Sequence, residues 1–299
     1  MATPKDKTTE VALAAGTAVG EAFDYGEDAG AGFDGANRDD YLVPMLDVVQ
    51  PNSGEMTGDG DFKAGQLIIR ALGSAYDGKK GIAIIPVGRQ HAYVQWRPKD
   101  QGGGIQAQFA PDDPIVAKVK ELNGGAFGKL KMKGNPNDKT DDDLVETFYL
   151  YAIAGIYGEG ADNFEIEETM PLSIPFSSTK IGAYKGLMTK ASMIRLPNSS
   201  GVKVAAPLFA HRFRMTTKLV EKSGNKWFVP LIGFDGKDAA AARLDPRGSL
   251  YNDARDFAAL VKSGEVKIDT KGATTDDSGG GTSGAASKSA AADDKEIPF

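Results

Sequence analysis

The sequence predicts a mainly β protein with inserted helices, of the α+β class, in which an antiparallel barrel or strongly curved sheet sits between two acidic tails. Three observations lead there. Seven runs rich in β-branched and aromatic residues are bounded by Gly, Pro, Asn or Asp. Helical patterns interrupt these runs rather than alternating with them one by one. No fixed-period repeat is present, which excludes solenoids and propellers.

In chain order, residues 1–36 are rich in Ala, Gly, Asp and Glu without hydrophobic period, and are expected to be a flexible acidic extension. Tyr41, Leu42, Met45, Leu46 and Val49 recur at helical spacing behind Asp39 or Asp40 and predict a short helix with Pro44 in its first turn. Strands are predicted at residues 66–72, 81–87, 91–97, 144–157, 171–176, 208–220 and 226–234. Helices are predicted at 114–122, at 178–194 behind the Ser177-Ser178-Thr179 cluster, and at 251–262. Residues 124–143 read as a long loop. From Lys271 the chain is Gly, Ser, Ala and Thr, a linker composition, yet it ends in Asp293-Asp294-Lys295-Glu296-Ile297-Pro298-Phe299. One domain over residues 37–270 with tails at 1–36 and 271–299 is the expected organisation.

The 299 residues include no cysteine, which removes disulfides, thiolate metal sites and a cysteine nucleophile and suits a reducing, cytoplasmic setting. No apolar run is long enough for a membrane span. The net charge of −6 divides unevenly. Residues 1–62 hold 3 Lys and Arg against 13 Asp and Glu, residues 63–270 hold 29 against 23, and residues 271–299 hold 3 against 5. Within residues 178–226 ten basic residues face one acid, Glu221. A basic body lies between acidic ends, a pattern suited to a polyanionic partner or to a solvated cationic face.

Catalytic constellations are thin. His91 and His211 each fall in a predicted strand with no triad around them, no phosphate-binding glycine loop is present, and no cofactor or metal is expected. Asp59-Gly60-Asp61 reads as a turn and Asp141-Asp142-Asp143 as a solvated loop. The protein is expected not to be an enzyme.

Strand alternation gives a sharper signal. In 91–97, His91, Tyr93, Gln95 and Arg97 share one face, and Ala92, Val94 and Trp96 share the other. Trp96 is then core, while Tyr93 and Arg97, with Lys99 just beyond, face outward where a ring stacks on a base and cations meet phosphates. In 208–219, Phe209, Phe213, Met215 and Leu219 point inward and Arg212, Arg214 and Lys218 outward. Tyr149 and Tyr151 are either core or further stacking rings. On the helix from Ser178, Ile181, Tyr184, Met188 and Ala191 form the apolar stripe, leaving Lys180, Lys185 and Lys190 toward solvent. These residues are the candidate single-strand contacts.

At the C-terminus, Asp293, Asp294 and Glu296 lead into Ile297, Pro298 and Phe299, joining acids, a stiff proline and a terminal ring. This ending resembles the acidic tip of bacterial single-stranded DNA-binding proteins, which implies docking of replication or recombination proteins. The segments Tyr41-Leu42-Val43-Pro44-Met45-Leu46, Tyr93-Val94-Gln95-Trp96-Arg97-Pro98-Lys99-Asp100-Gln101-Gly102-Gly103-Gly104, Pro175-Phe176-Ser177-Ser178-Thr179 and Leu208-Phe209-Ala210-His211-Arg212-Phe213 are similar to a family of bacteriophage single-stranded DNA-binding proteins, over roughly residues 38–234. That resemblance implies an OB-like barrel that coats single-stranded DNA in phage replication, recombination and repair inside the host cytoplasm, with an acidic tail that competes for the basic groove. An adaptor or virion-associated interaction protein is the alternative, and a strand annealase or nuclease a further one.

Overall fold

The structure, a computed structural model, describes residues 42–51, 62–160, 162–266 and 268, with the side chain of Lys99 left aside. The expected tails at 1–36 and 271–299, the docking tip Asp293, Asp294, Glu296, Ile297, Pro298 and Phe299, and the Asp59-Gly60-Asp61 turn lie outside the described residues.

Two strands of fifteen residues each, β4 (Ile82–Trp96) and β7 (Asp143–Tyr157), form the spine of the molecule. They pair antiparallel from Ala83↔Gly155 to Trp96↔Asp143. The remaining strands are β1 (Leu46–Val48), β2 (Leu67–Ile69), β3 (Ser74–Tyr76), β5 (Ile105–Phe109), β6 (Lys129–Lys131), β8 (Ile166–Ser177), β9 (Arg195–Pro197), β10 (Lys203–Ala205), β11 (Phe213–Lys222) and β12 (Asn225–Phe234). Seven make one sheet in the order β12-β11-β4-β7-β6, with β5 on β4 and β8 on β7; β1-β2-β3 form a second sheet and β9-β10 a separate hairpin. Every strand pairing within these sheets is antiparallel.

Among the described residues three helices dress the sheet: α1 (Pro114–Leu122), α2 (Ile181–Ser192) and α3 (Ser249–Lys262). The α1 start follows from local chemistry, since the Asp113 carboxylate accepts the Ile115 N–H at 2.8 Å and proline takes the first turn. Tyr184, Leu187 and Ala191 of α2 enter the main core with Ile82, Ile84, Leu150, Ala152, Leu172, Phe176, Phe213 and Met215. On the opposite sheet face Ala254 and Phe257 of α3 cover Ile85, Val87, Tyr151 and Ile153.

The sequence expectation of two strands at 81–87 and 91–97 resolves into one strand with a bulge. Pro86 faces Ala152 but Gly88 faces Tyr151, so Val87 is the extra residue. The bulge reverses the parity of the strand. Before it Ile82 and Ile84 face α2; beyond it Ala92, Val94 and Trp96 face the α3 side with Val145 and Tyr149. Upstream, Gly81 sits at φ +75°, and a Cβ there would meet the Met215 carbonyl oxygen at 2.2 Å, so β4 and β11 approach this closely only with glycine.

The expected helix near residues 41–49 is corrected: Leu46, Asp47 and Val48 pair with Ile69, Ile68 and Leu67, and all six main-chain partners belong to β1 and β2. A short amphipathic period holds too little intrinsic stability to resist that pairing. The β1 segment also ties the large sheet together. Met45 bridges to Ser173 of β8, and the Gln50 side-chain amide donates to Phe228 O at 3.0 Å and accepts the Phe228 N–H at 2.9 Å. The 124–143 loop carries β6, and its aspartates are held rather than solvated: Asp143 bridges Lys129 at 2.8 Å and Lys131 at 2.9 Å, and Asp141 accepts the Lys133 N–H at 2.6 Å. The run 208–220 begins as a 3-10 turn at Leu208–Ala210 before β11. Among the described residues, no helix is long and apolar enough to cross a membrane.

Candidate nucleic-acid interface

The alternation of β11 sets the interface. Phe213 and Met215 are buried, whereas Arg214 is half-buried and Lys218 and Lys222 are exposed. Pairing with β4 ends at Met215, but pairing with β12 continues through Lys222↔Asn225, so residues 216–222 and 225–231 run on as a two-stranded ribbon. Opposite Arg214, Thr216, Lys218 and Val220 on the same face stand Gly233, Leu231, Val229 and Trp227.

At the base of this face one carboxylate organises two arginines. The Asp235 side chain, 1% exposed, pairs with Arg212 through Oδ2 and with Arg214 through Oδ1, where Arg214 Nη2 stands at 2.7 Å and Nε at 3.0 Å. Arg214 Nε also lies 3.3 Å from the Tyr157 hydroxyl oxygen. The guanidinium carbon lies 3.9 Å from the Phe164 ring centroid, and Phe164 meets Tyr157 edge-on at 5.3 Å. Lys80 joins from β4's approach, donating to Gly160 O at 2.7 Å and to Gly158 O. Burial, and after it the Asp235 carboxylate, push the Tyr157 hydroxyl far above its usual range, so this ring remains neutral. For Arg214 burial lowers the value, but Asp235 and Tyr157 outweigh it and the net direction is upward. The patch thus presents fixed cations and a 37%-exposed Phe164 ring together.

Of the residues singled out by sequence, Arg212, Arg214 and Lys218 are brought together here. Lys185 is exposed on α2, and Lys190 donates to Ile232 O at 3.0 Å, reaching β12 from the helix. Others are placed differently. Lys180 is 4% exposed and pairs with Asp47 at 3.0 Å, because the chain enters α2 through a 3-10 turn, Ser178–Lys180, that points it inward. Tyr93 does not lie on an open face: α1 covers it with Val116 and Val119, although Lys120 Nζ sits 4.4 Å from its ring centroid. Tyr149 and Tyr151, left open by the sequence, are both core rings on the α3 side of the sheet, and burial pushes the Tyr151 hydroxyl up to about 12. Arg97 is exposed, with Nε 4.0 Å from Asp142. Lys99 opens a 3-10 turn at the end of β4.

Sequence reasoning missed Lys80, Tyr157 and Phe164. A usable signal existed for Phe164 alone, the one aromatic ring amid the glycines and acids of residues 158–168.

A helix-dressed antiparallel body with a cation-bearing edge ribbon defines an α+β protein. The family model described as Pam3 phage gp34-like protein matches residues 12–267, and the chain belongs to that phage protein family. No curated protein and no solved structure matches it.

Proposed function

We propose that this phage-family protein is a sequence-tolerant, non-catalytic single-stranded DNA-binding protein built on an OB-like body. It coats DNA during phage replication and recombination in the host cytoplasm and recruits partners through the tip ending in Phe299. The observation that carries the reading is the outward row Arg214, Lys218 and Lys222 on β11, with the Phe164 ring beside Arg214. At a strand rise of about 3.4 Å per residue, successive cations stand roughly 14 Å apart, far enough for each to meet its own phosphate. Rings supply what phosphates cannot, because base stacking is worth about 1–3 kcal/mol per ring and tolerates any sequence.

Fluorescence anisotropy with oligo-dT over a salt series tests this. Tight binding that weakens steeply with salt and prefers single over double strands is expected; absent or salt-insensitive binding overturns it.

A second reading, a virion-associated interaction protein, has its own observation. The β9-β10 hairpin is exposed along almost its whole length, with Met193 at 74% and Val202 at 59% exposure beside it. It predicts a protein complex that survives nuclease treatment.

A further inference from the structure

Three residues stand in one register row across the α2 face of the large sheet: His91 of β4 opposite Phe148 of β7, and Phe148 opposite Phe176 of β8. All three are rings. His91 and Phe148 stack with centroids 4.2 Å apart at 13°. Phe148 stacks on Tyr184 of α2 at 4.7 Å and 21°, and Tyr184 lies against Phe176 at 5.7 Å. The row runs from fully buried Phe176 through half-buried Phe148 to His91, whose side chain keeps 29% exposure.

Core packing accounts for the inner end of the row and not for the outer one. There the Glu146 carboxylate accepts from His91 Nε2 at 3.0 Å and from the Tyr93 hydroxyl at 3.2 Å, which fixes the imidazole plane with the proton on Nε2. Burial lowers the His91 pKa, Glu146 opposing part of the shift, so the ring is a neutral flat surface at neutral pH. Two cations flank it: Arg89, exposed and two positions away on the same strand face, and Lys120 over Tyr93. The sheet is also incomplete at this point. On the edge of β4 away from β7, β11 covers Ile82–Ile84 and β5 covers Tyr93–Trp96, while among the described residues no strand pairs there with residues 85–92.

We infer that His91, backed by Phe148, is a stacking platform for an unpaired nucleobase, with Arg89 and Lys120 meeting the adjoining phosphates. The base extends the row Phe176–Phe148–His91 by one further ring. This rests on the single-strand reading and adds a second contact region to it, apart from the β11-β12 face.

The sequence contains two histidines, which gives a clean readout on the intact chain. Imidazole proton resonances are followed by NMR while oligo-dT, and separately dTMP, is added; His211, 2% exposed, is the internal reference. The His91 signals are expected to move at saturation, and by more than those of buried His211. His91→Ala is expected to weaken oligo-dT binding by about 5- to 150-fold with an unchanged salt slope, because a ring and not a phosphate contact is lost. His91→Phe restores the ring and is expected to restore affinity. Oligo-dT binding that leaves the His91 resonances unmoved, or His91→Phe as weak as His91→Ala, overturns the platform while the single-strand reading stands. A wild-type chain that binds no oligo-dT overturns both.

Discussion

Asp235 Oδ1 receives two donors from Arg214, Nη2 at 2.7 Å and Nε at 3.0 Å, so a single buried oxygen fixes the guanidinium plane above the Phe164 ring. The same carboxylate holds Arg212 through its other oxygen. Asp235→Ala releases both arginines and leaves them half-desolvated. It is expected to lower unfolding stability by about 1.5–3 kcal/mol, the range for hydrogen bonds to charged groups, read from urea denaturation at constant m.

Lys180 and Asp47 form a deeply buried ion pair, with Arg70 beside them at 3.4 Å from Asp47. Burial pushes the Asp47 carboxyl up, but Lys180, Arg70 and the Val48 N–H together outweigh it and hold the carboxyl below 3.8. The resulting stability is therefore present above the unfolded value and lost as pH falls through the lower folded value. Lys180→Met leaves the buried carboxylate with Arg70 and the Val48 N–H alone and is expected to cost up to about 3–5 kcal/mol at pH 7, with less acid sensitivity than wild type near pH 3–4. Equal stability of the variant and wild type at pH 7 would refute this.

His91 titrates in the same sense, over a higher pH window. Burial, against Glu146, sets its folded pKa below 6.5, and burial followed by Arg243 does the same for His211. Between the folded values and about 6.5 the unfolded chain binds more protons, so stability is expected to rise with pH across that window and level off above it. In His91→Gln the rise becomes shallower, the remainder belonging to His211. Thermal melts between pH 5 and 8 measure it.

Lys218 and Lys222 point outward from the ribbon without burying the rest of it. Replacing both with Ala is expected to leave the melting temperature unchanged and reduce the log–log salt slope for oligo-dT by about 1.4, at about 0.7 per phosphate contact. An unchanged slope would place the DNA elsewhere.

Much of the architecture was legible before any coordinates. Helix α1 begins and ends where Asp113, Pro114 and the glycines after Leu122 require. The inward turn of Phe213 and Met215 and the outward turn of Arg214 and Lys218 follow from the period of two. The first helix failed because three residues of β1 gain more from pairing with β2 than from a single apolar stripe. The bulge at Val87 was invisible because it depends on how Pro86 meets β7, and no local pattern states that.

The sequence alone determined which residues alternate and where charge accumulates, since these depend on composition and short-range period. Only the tertiary structure decided which face of each strand is covered. The sequence period puts Tyr93 and Arg97 on one face, yet α1 lies over Tyr93, while Arg97 falls one residue beyond β4 and is exposed. Lys180 belongs to the same basic run as Lys218, yet Asp47, distant in sequence, draws it into the interior. Burial is a property of what packs above a residue, and the packing partner comes from another part of the chain.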